Sequence, residues 1–166
     1  MKAIVAVDKK WGIGKNNGLL FQIAEDMRFF RQQTLGKTVV MGRKTLESFP
    51  NGKPLKNRKN VVLGNPKNLE GIISVKNFEE LKTALSGENQ SDVYVIGGGS
   101  VYKLLLPYCD SVLVTKVKAD GDAEVFFPNL DEDENFFVSD SGDVATESGY
   151  TIRFVTYENK NPKAWG

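Results

Sequence analysis

Apolar positions along the chain come in two periods. Short runs of β-branched and aliphatic residues, "KAIVAV" at 2–7, "KTVVMG" at 37–42, "NVVLG" at 60–64, "DVYVIG" at 92–97 and "VLVTKV" at 112–117, read as strands buried on both faces. Between them lie segments with helical spacing: Asp26 to Thr34, ended by Gly36, then "RKTLES", then "NFEELKTAL" with Asn77 as N-cap and Glu80 three residues on, and "GSVYKLLLP" closed by Pro107. "GIISV" reads as an edge strand, and "FFVSDS" with "YTIRFVTYE" as a terminal antiparallel hairpin. Strands alternating with helices predict an α/β fold: a twisted, mixed, mostly parallel central sheet flanked by helices, with the hairpin at its C-terminal end. The segment "DKKWGIGKNNGLLF", with three glycines and two adjacent asparagines, is expected to be a long mobile loop without elements of its own. No internal repeat or linker interrupts the pattern, so residues 1–166 are expected to form one domain.

Composition narrows the chemistry. With 22 basic against 21 acidic residues, the chain has no net field suited to nucleic acid or an anionic membrane, and a small-molecule partner is expected. There is no histidine and only one cysteine, Cys109, which excludes an intrachain disulfide and metal sites built on several His or Cys ligands; no metal is expected. No apolar run approaches signal-peptide or transmembrane length, and a reducing cytoplasm fits best.

Three places carry candidate chemistry. "VIGGGSVY" sets three glycines between a strand and a helix, where the backbone either approaches a phosphate or makes a strained turn with no ligand. "MGRKT" at 41–45 also ends a strand and opens a helix, so Arg43, Lys44 and Thr45 form either a second anion site or a plain helix start with solvated cations. Neither matches the usual dinucleotide or P-loop spacing. Both follow strand C-terminal ends, where open α/β sheets bind ligands. The third is Asp26, an acid four residues before Phe30 and beside Met27, on the apolar side of its helix. A carboxylate there either serves the positive helix start or faces a ligand pocket, and Glu25 already stands ready for the first duty.

In series, "IVAV", "GIGKNNGLLF", "AEDMRFFRQQT", "VVMGRKTLES", "PLKNRKNVVL", "VYVIGGGSVY", "VTKV" and "FFP" resemble the dihydrofolate reductase family, in the same order and at nearly the same spacings over almost the whole chain. The resemblance implies an oxidoreductase that reduces 7,8-dihydrofolate to tetrahydrofolate with NADPH, a monomeric target of antifolate inhibitors. It implies that Asp26 hydrogen-bonds the pterin at its 2-amino group and N3 and favours N5 protonation, with Thr115 beside it. Ile4, Val5, Ala6, Ile96 and Tyr102 would line the pterin and nicotinamide pockets, and Met27, Phe30, Phe49 and Leu55 would hold the pterin and aminobenzoyl rings. Arg58 would pair with the α-carboxylate of the glutamate tail. For the cofactor, the resemblance implicates Ala6, Ile13, Gly14, Asn17, Gly18 and Leu19 from the first strand and the lid that follows it. Gly42, Arg43, Lys44 and Thr45 come from the second strand–helix junction. Leu63, Gly64, Asn65 and Lys76 come from neighbouring strand ends, and Ile96, Gly97, Gly98, Gly99, Ser100, Val101 and Tyr102 from the triple-glycine segment. Gly97 and Gly98 match a pair joined by a cis peptide bond in the family.

Three departures carry expectations. Leu19-Leu20-Phe21 stands where the family usually reads Leu-Pro-Trp, so Leu19 and Phe21 flank the catalytic acid without an indole to order a water, and proton delivery is expected to be altered. Glu124-Val125 replaces Asp-Thr, which predicts the loss of a hydroxyl contact near the buried acid and a weakened clasp on the lid. Gly64-Asn65 replaces hydroxyl and basic residues near the adenosine 2′-phosphate, which predicts a narrower preference for NADPH. Two other readings use part of the same signal: a pyrimidine reductase of the same fold, which would not need the Asp26 pocket, and a non-catalytic nucleotide-binding module.

Overall fold

The central sheet is built from runs whose alternate side chains are buried on opposite faces. In the computed structural model, which describes residues 1–64 and 70–165, eleven strands and four helices follow one another. Strands β1 (Lys2–Val7), β2 (Gly12–Lys15) and β3 (Gly18–Leu19) lead to α1 (Ala24–Thr34). Next come β4 (Thr38–Gly42), α2 (Arg43–Ser48), β5 (Lys59–Leu63), β6 (Ile72–Val75), α3 (Phe78–Leu85), β7 (Val93–Gly97) and α4 (Gly99–Leu105). The chain ends with β8 (Ser111–Val117), β9 (Val125–Phe126), β10 (Phe136–Ala145) and β11 (Thr151–Asn159).

Eight strands form one sheet in the order β10-β11-β8-β1-β7-β4-β5-β6. The six from β8 to β6 are parallel, while β10 and β11 add an antiparallel edge, as the expected mixed sheet with a terminal hairpin requires. β6 is the opposite edge, as its sequence suggested. Alternation sorts the strand residues into two cores. Ala3, Val5, Val40, Val61 and Val95 pack with Leu81 and Leu85 of α3 and Val101 and Leu105 of α4. Ile4, Val39, Met41 and Val62 pack with Leu46 of α2 and with Phe29 and Phe30 of α1 on the other face. Asn77 caps α3 by accepting the Glu80 N–H at 2.9 Å. Among the described residues no helix is long and apolar enough to cross a membrane.

Two local expectations need correction. Helix α1 begins at Ala24 rather than Asp26, so Asp26 lies inside the first turn. The segment from Asp8 to Phe21 is not a bare loop: β2 and β3 form a hairpin that joins β9 in a second, three-stranded sheet. Asn16 and Asn17 both take left-handed backbone (φ 51° and 55°), the conformation of a two-residue hairpin turn, which asparagine tolerates better than most residues. The root of this hairpin is tied by Asp8, which is 2% exposed. Its Oδ1 accepts the Lys10 and Gly12 N–H groups at 2.9 and 2.7 Å, and its Oδ2 accepts that of Gly121 at 3.0 Å.

Candidate active site

Parallel strands leave their carboxyl ends along one rim of the sheet, and the helices that follow begin there. A cavity of about 440 Å³ opens at that rim. Its floor is Val5 and Ala6 of β1, Gly42 of β4, Leu63 of β5 and Ile96 and Gly97 of β7. One wall is α2, with Arg43, Lys44 and Thr45 at its start and Ser48 at its end; another is Gly98 to Tyr102 at the start of α4. The β2–β3 hairpin supplies Ile13, Gly14, Lys15, Asn17, Gly18 and Leu19, and β9 supplies Val125.

The triple glycine is explained by what surrounds it. Gly97 has φ +134°, and a Cβ there would lie 3.3 Å from Thr45 Oγ1; one on Gly99 would meet Val125 Cγ1 at 2.7 Å. The Gly97–Gly98 peptide bond is cis. Side chains at these positions would fill the cradle between α4, α2 and β9.

Asp26 lies beyond the floor, on the face of the sheet that α1 covers. Thr115, 2% exposed on β8 and paired in register with Ala6 of β1, donates its hydroxyl proton to Asp26 Oδ1 at 2.6 Å. Burial raises the Asp26 pKa above the ordinary carboxylate value, and the Thr115 hydrogen bond opposes that rise. Tyr102 is buried and donates to the Ile4 carbonyl at 2.6 Å; desolvation, then the Asp26 charge, pushes its own pKa far up, so it stays a neutral donor. Around Asp26 the expected apolar residues Ile4, Phe30, Phe49, Leu55 and Ile96 belong to one cluster, whereas Met27 is 55% exposed.

Arg58 stands at the far end of that cluster's loop. Its Nε is buried without a partner, and desolvation, then the nearby charge of Arg31, lowers its pKa. The loop that presents it is held by Asn60, which is 2% exposed. Asn60 Oδ1 accepts the Leu55 N–H at 3.0 Å, while its Nδ2 donates to the carbonyls of Leu55 and Arg58 at 2.9 and 3.0 Å.

Not every candidate meets the cavity. Gly64 and Lys76 stand at adjoining strand ends outside its wall, where the Gly64 N–H donates to the Val75 carbonyl at 2.9 Å; Asn65 lies outside the described residues. Leu19 lines the cavity and is 71% exposed. Phe21 instead packs edge-on to Tyr150, with ring centroids 5.1 Å apart, in the small cluster of Ile23, Val117 and Ile152. Where that clasp is expected, Glu124 Oε1 accepts the Asn16 N–H at 2.9 Å, and the Glu124 N–H donates to the Gly14 carbonyl at 2.8 Å. Lys15 and Ser48 line the cavity without having been named as candidates, and Val125, noted only as a departure, lines it too. Lys15 sits within "GIGKNNG" and was nearer than Ser48 to a readable signal.

Comparison with known proteins accords with this geometry. The family model described as dihydrofolate reductase matches residues 1–159. A dihydrofolate reductase of Bacillus subtilis is 34% identical over 166 residues, covering 98% of this chain and 96% of the relative. One from Haemophilus influenzae is 35% identical over 159 residues, covering 95% and 97%. Among solved structures, a dihydrofolate reductase from Enterococcus faecalis complexed with NADP(H) and RAB-propyl superposes with a TM-score of 0.82 at 30% identity, covering 96% of each chain.

Proposed function

The chain belongs to the dihydrofolate reductase family, and from that premise we propose how its own residues carry out the family's reaction. The enzyme reduces 7,8-dihydrofolate to 5,6,7,8-tetrahydrofolate at the expense of NADPH. The residues of the cleft fit the cofactor: Arg43 and Lys44 stand at one wall for its phosphates, the glycine cradle leaves room for close approach, and among the described residues no carboxylate lines the cavity. NADPH, when bound, supplies the hydride.

The observation that carries the assignment of roles is the pair of half-buried Asp26 and buried Thr115, one strand away from that cleft. Asp26 accepts hydrogen bonds from the pterin 2-amino group and N3, and its charge favours the protonated N5 that receives the hydride at the neighbouring carbon. Thr115 holds the carboxylate in place. Ile4, Phe30, Phe49, Leu55 and Ile96 sandwich the flat rings and exclude water, with Met27 at their open border. Arg58, whose Nε lacks any partner, takes the α-carboxylate of the glutamate tail as a bidentate pair. Phe21, turned against Tyr150, offers no N–H, so proton delivery to N5 relies on solvent admitted past Leu19. The catalytic unit is one domain of one copy, its partners are small molecules and its place is the cytoplasm. A pyrimidine reductase or a nucleotide-binding module would have no use for Asp26 and Arg58 together.

The test is dihydrofolate-dependent oxidation of NADPH followed by absorbance, with and without a 2,4-diaminopyrimidine inhibitor. Turnover that requires dihydrofolate and is blocked by the inhibitor is expected. Cofactor binding without turnover would overturn the reading.

A further inference from the structure

Among the described residues the cavity wall carries charge of one sign: Lys15, Arg43 and Lys44 line it, and neither aspartate nor glutamate does. Arg43 and Lys44 come from the start of α2, whereas Lys15 ends β2 and is the one charged side chain that the hairpin contributes. The α4 side offers backbone N–H groups and the Ser100 hydroxyl but no charge. An anion held between these walls would therefore meet cations from two directions if Lys15 were free to turn inward.

Lys15 has a temporary occupation. Its ammonium lies 2.9 Å from Asp122 Oδ2, with side-chain exposures of 40% and 91%. A pair this open is weakly held and readily exchanged for a better anion. Asp122 sits in left-handed backbone (φ 55°) between Asp120 and Glu124, and its N–H donates to Asp120 Oδ1 at 2.9 Å, so the carboxylate is presented by the loop and does not depend on Lys15 for its position.

Resting on the reading that NADPH fills this cleft, we propose that Lys15 is a further cofactor-binding residue that leaves Asp122 for the cofactor's diphosphate, so that Asp122 competes with the cofactor for the same ammonium. The competing explanation, a surface ion pair that braces the hairpin, makes a different forecast. Under exchange, removing Asp122 frees Lys15 and tightens cofactor binding. Under bracing, removing either partner loosens the hairpin and weakens binding.

The experiment measures dissociation constants on the ligand-free protein by isothermal titration, for NADPH and for 2′-phospho-ADP-ribose, which keeps the diphosphate and lacks the nicotinamide. Lys15→Gln is expected to weaken both ligands about threefold, and Asp122→Asn, which tolerates the same backbone, to tighten both by about twofold. Both effects shrink at 0.5 M salt, roughly where exposed charges are strongly screened. Arg43→Gln/Lys44→Gln serves as control, because it must weaken both ligands if the cleft reading holds at all. If that control changes nothing, the cleft reading fails rather than the exchange. With the control behaving, weaker binding in Asp122→Asn, no change in either single variant, or a Lys15→Gln loss confined to NADPH would overturn the proposal.

Discussion

A carboxylate and a guanidinium, each taken partly out of water without a full complement of partners, are the two residues on which the chemistry turns. Asp26 accepts one side-chain hydrogen bond, from Thr115, and burial raises its pKa. A raised acid stabilises the fold fully below its unfolded pKa and loses that contribution as pH rises through the folded value. As the pH rises toward neutrality, Asp26 therefore costs the ligand-free protein stability. Asp26→Asn, which keeps an oxygen for the Thr115 hydroxyl, is expected to raise the urea midpoint at pH 7, with the gain fading toward about pH 3.5, below the ordinary aspartate pKa. A variant less stable than wild type at pH 7 would contradict this. Arg58 is the converse case, a donor awaiting an acceptor. Arg58→Leu is expected to raise the KM for dihydrofolate about 10- to 100-fold, the equivalent of a charge-assisted pair of roughly 1.5–3 kcal/mol. Reduction of unconjugated dihydropteridines should remain nearly unchanged, and equal losses on both substrates would place Arg58 elsewhere.

At the level of elements, what the chain disclosed depended on how local the signal was. The six parallel strands, the Asn77 cap and the helix starting at Arg43 rest on short-range pattern and were readable. The β2–β3 hairpin was not, because its strands are two to four residues long and glycine-rich, and its stabilising partner Glu124 lies 108 residues beyond Asn16. Its only local trace was the asparagine pair in the turn. Candidate site residues were legible as oddities, such as an acid among phenylalanines, whereas Lys15 looked like an ordinary loop lysine until the fold placed it over the cavity. Asn60 was equally silent, since its work is to hold a loop. Asn60→Ala removes three hydrogen bonds and strips half-buried backbone groups of Leu55 and Arg58 of that partner. A stability loss of about 1–3 kcal/mol is expected, with a raised KM for dihydrofolate and an unchanged dissociation constant for NADPH, because the loop presents Arg58 and lies away from the cofactor cleft. An equal loss in cofactor binding would mean that the loop acts on the whole molecule.

Across the whole molecule, the sheet brings two sites with different electrostatics side by side: an open cationic cleft at the strand ends and a half-buried acid beneath α1. The cleft's charges are exposed; Arg43 is 46% exposed and only 4.0 Å from Glu47 at its nearest approach. Selectivity for NADPH over NADH, measured as a ratio of kcat/KM values, is therefore expected to fall as salt rises from about 0.05 to 0.5 M. A ratio independent of salt would point to uncharged donors for the 2′-phosphate. The acid's site is shielded, and its contribution should follow proton concentration instead. Rapid mixing of NADPH-loaded enzyme with dihydrofolate reads this directly, comparing the hydride-transfer rate of wild type and Asp26→Asn from pH 7 downward. The account predicts a loss of more than about tenfold at pH 7, roughly 1.4 kcal/mol or more of transition-state stabilisation, that narrows as acid protonates N5 without help. A variant that keeps over about a tenth of the wild-type rate at pH 7, or whose deficit stays constant with pH, would contradict it.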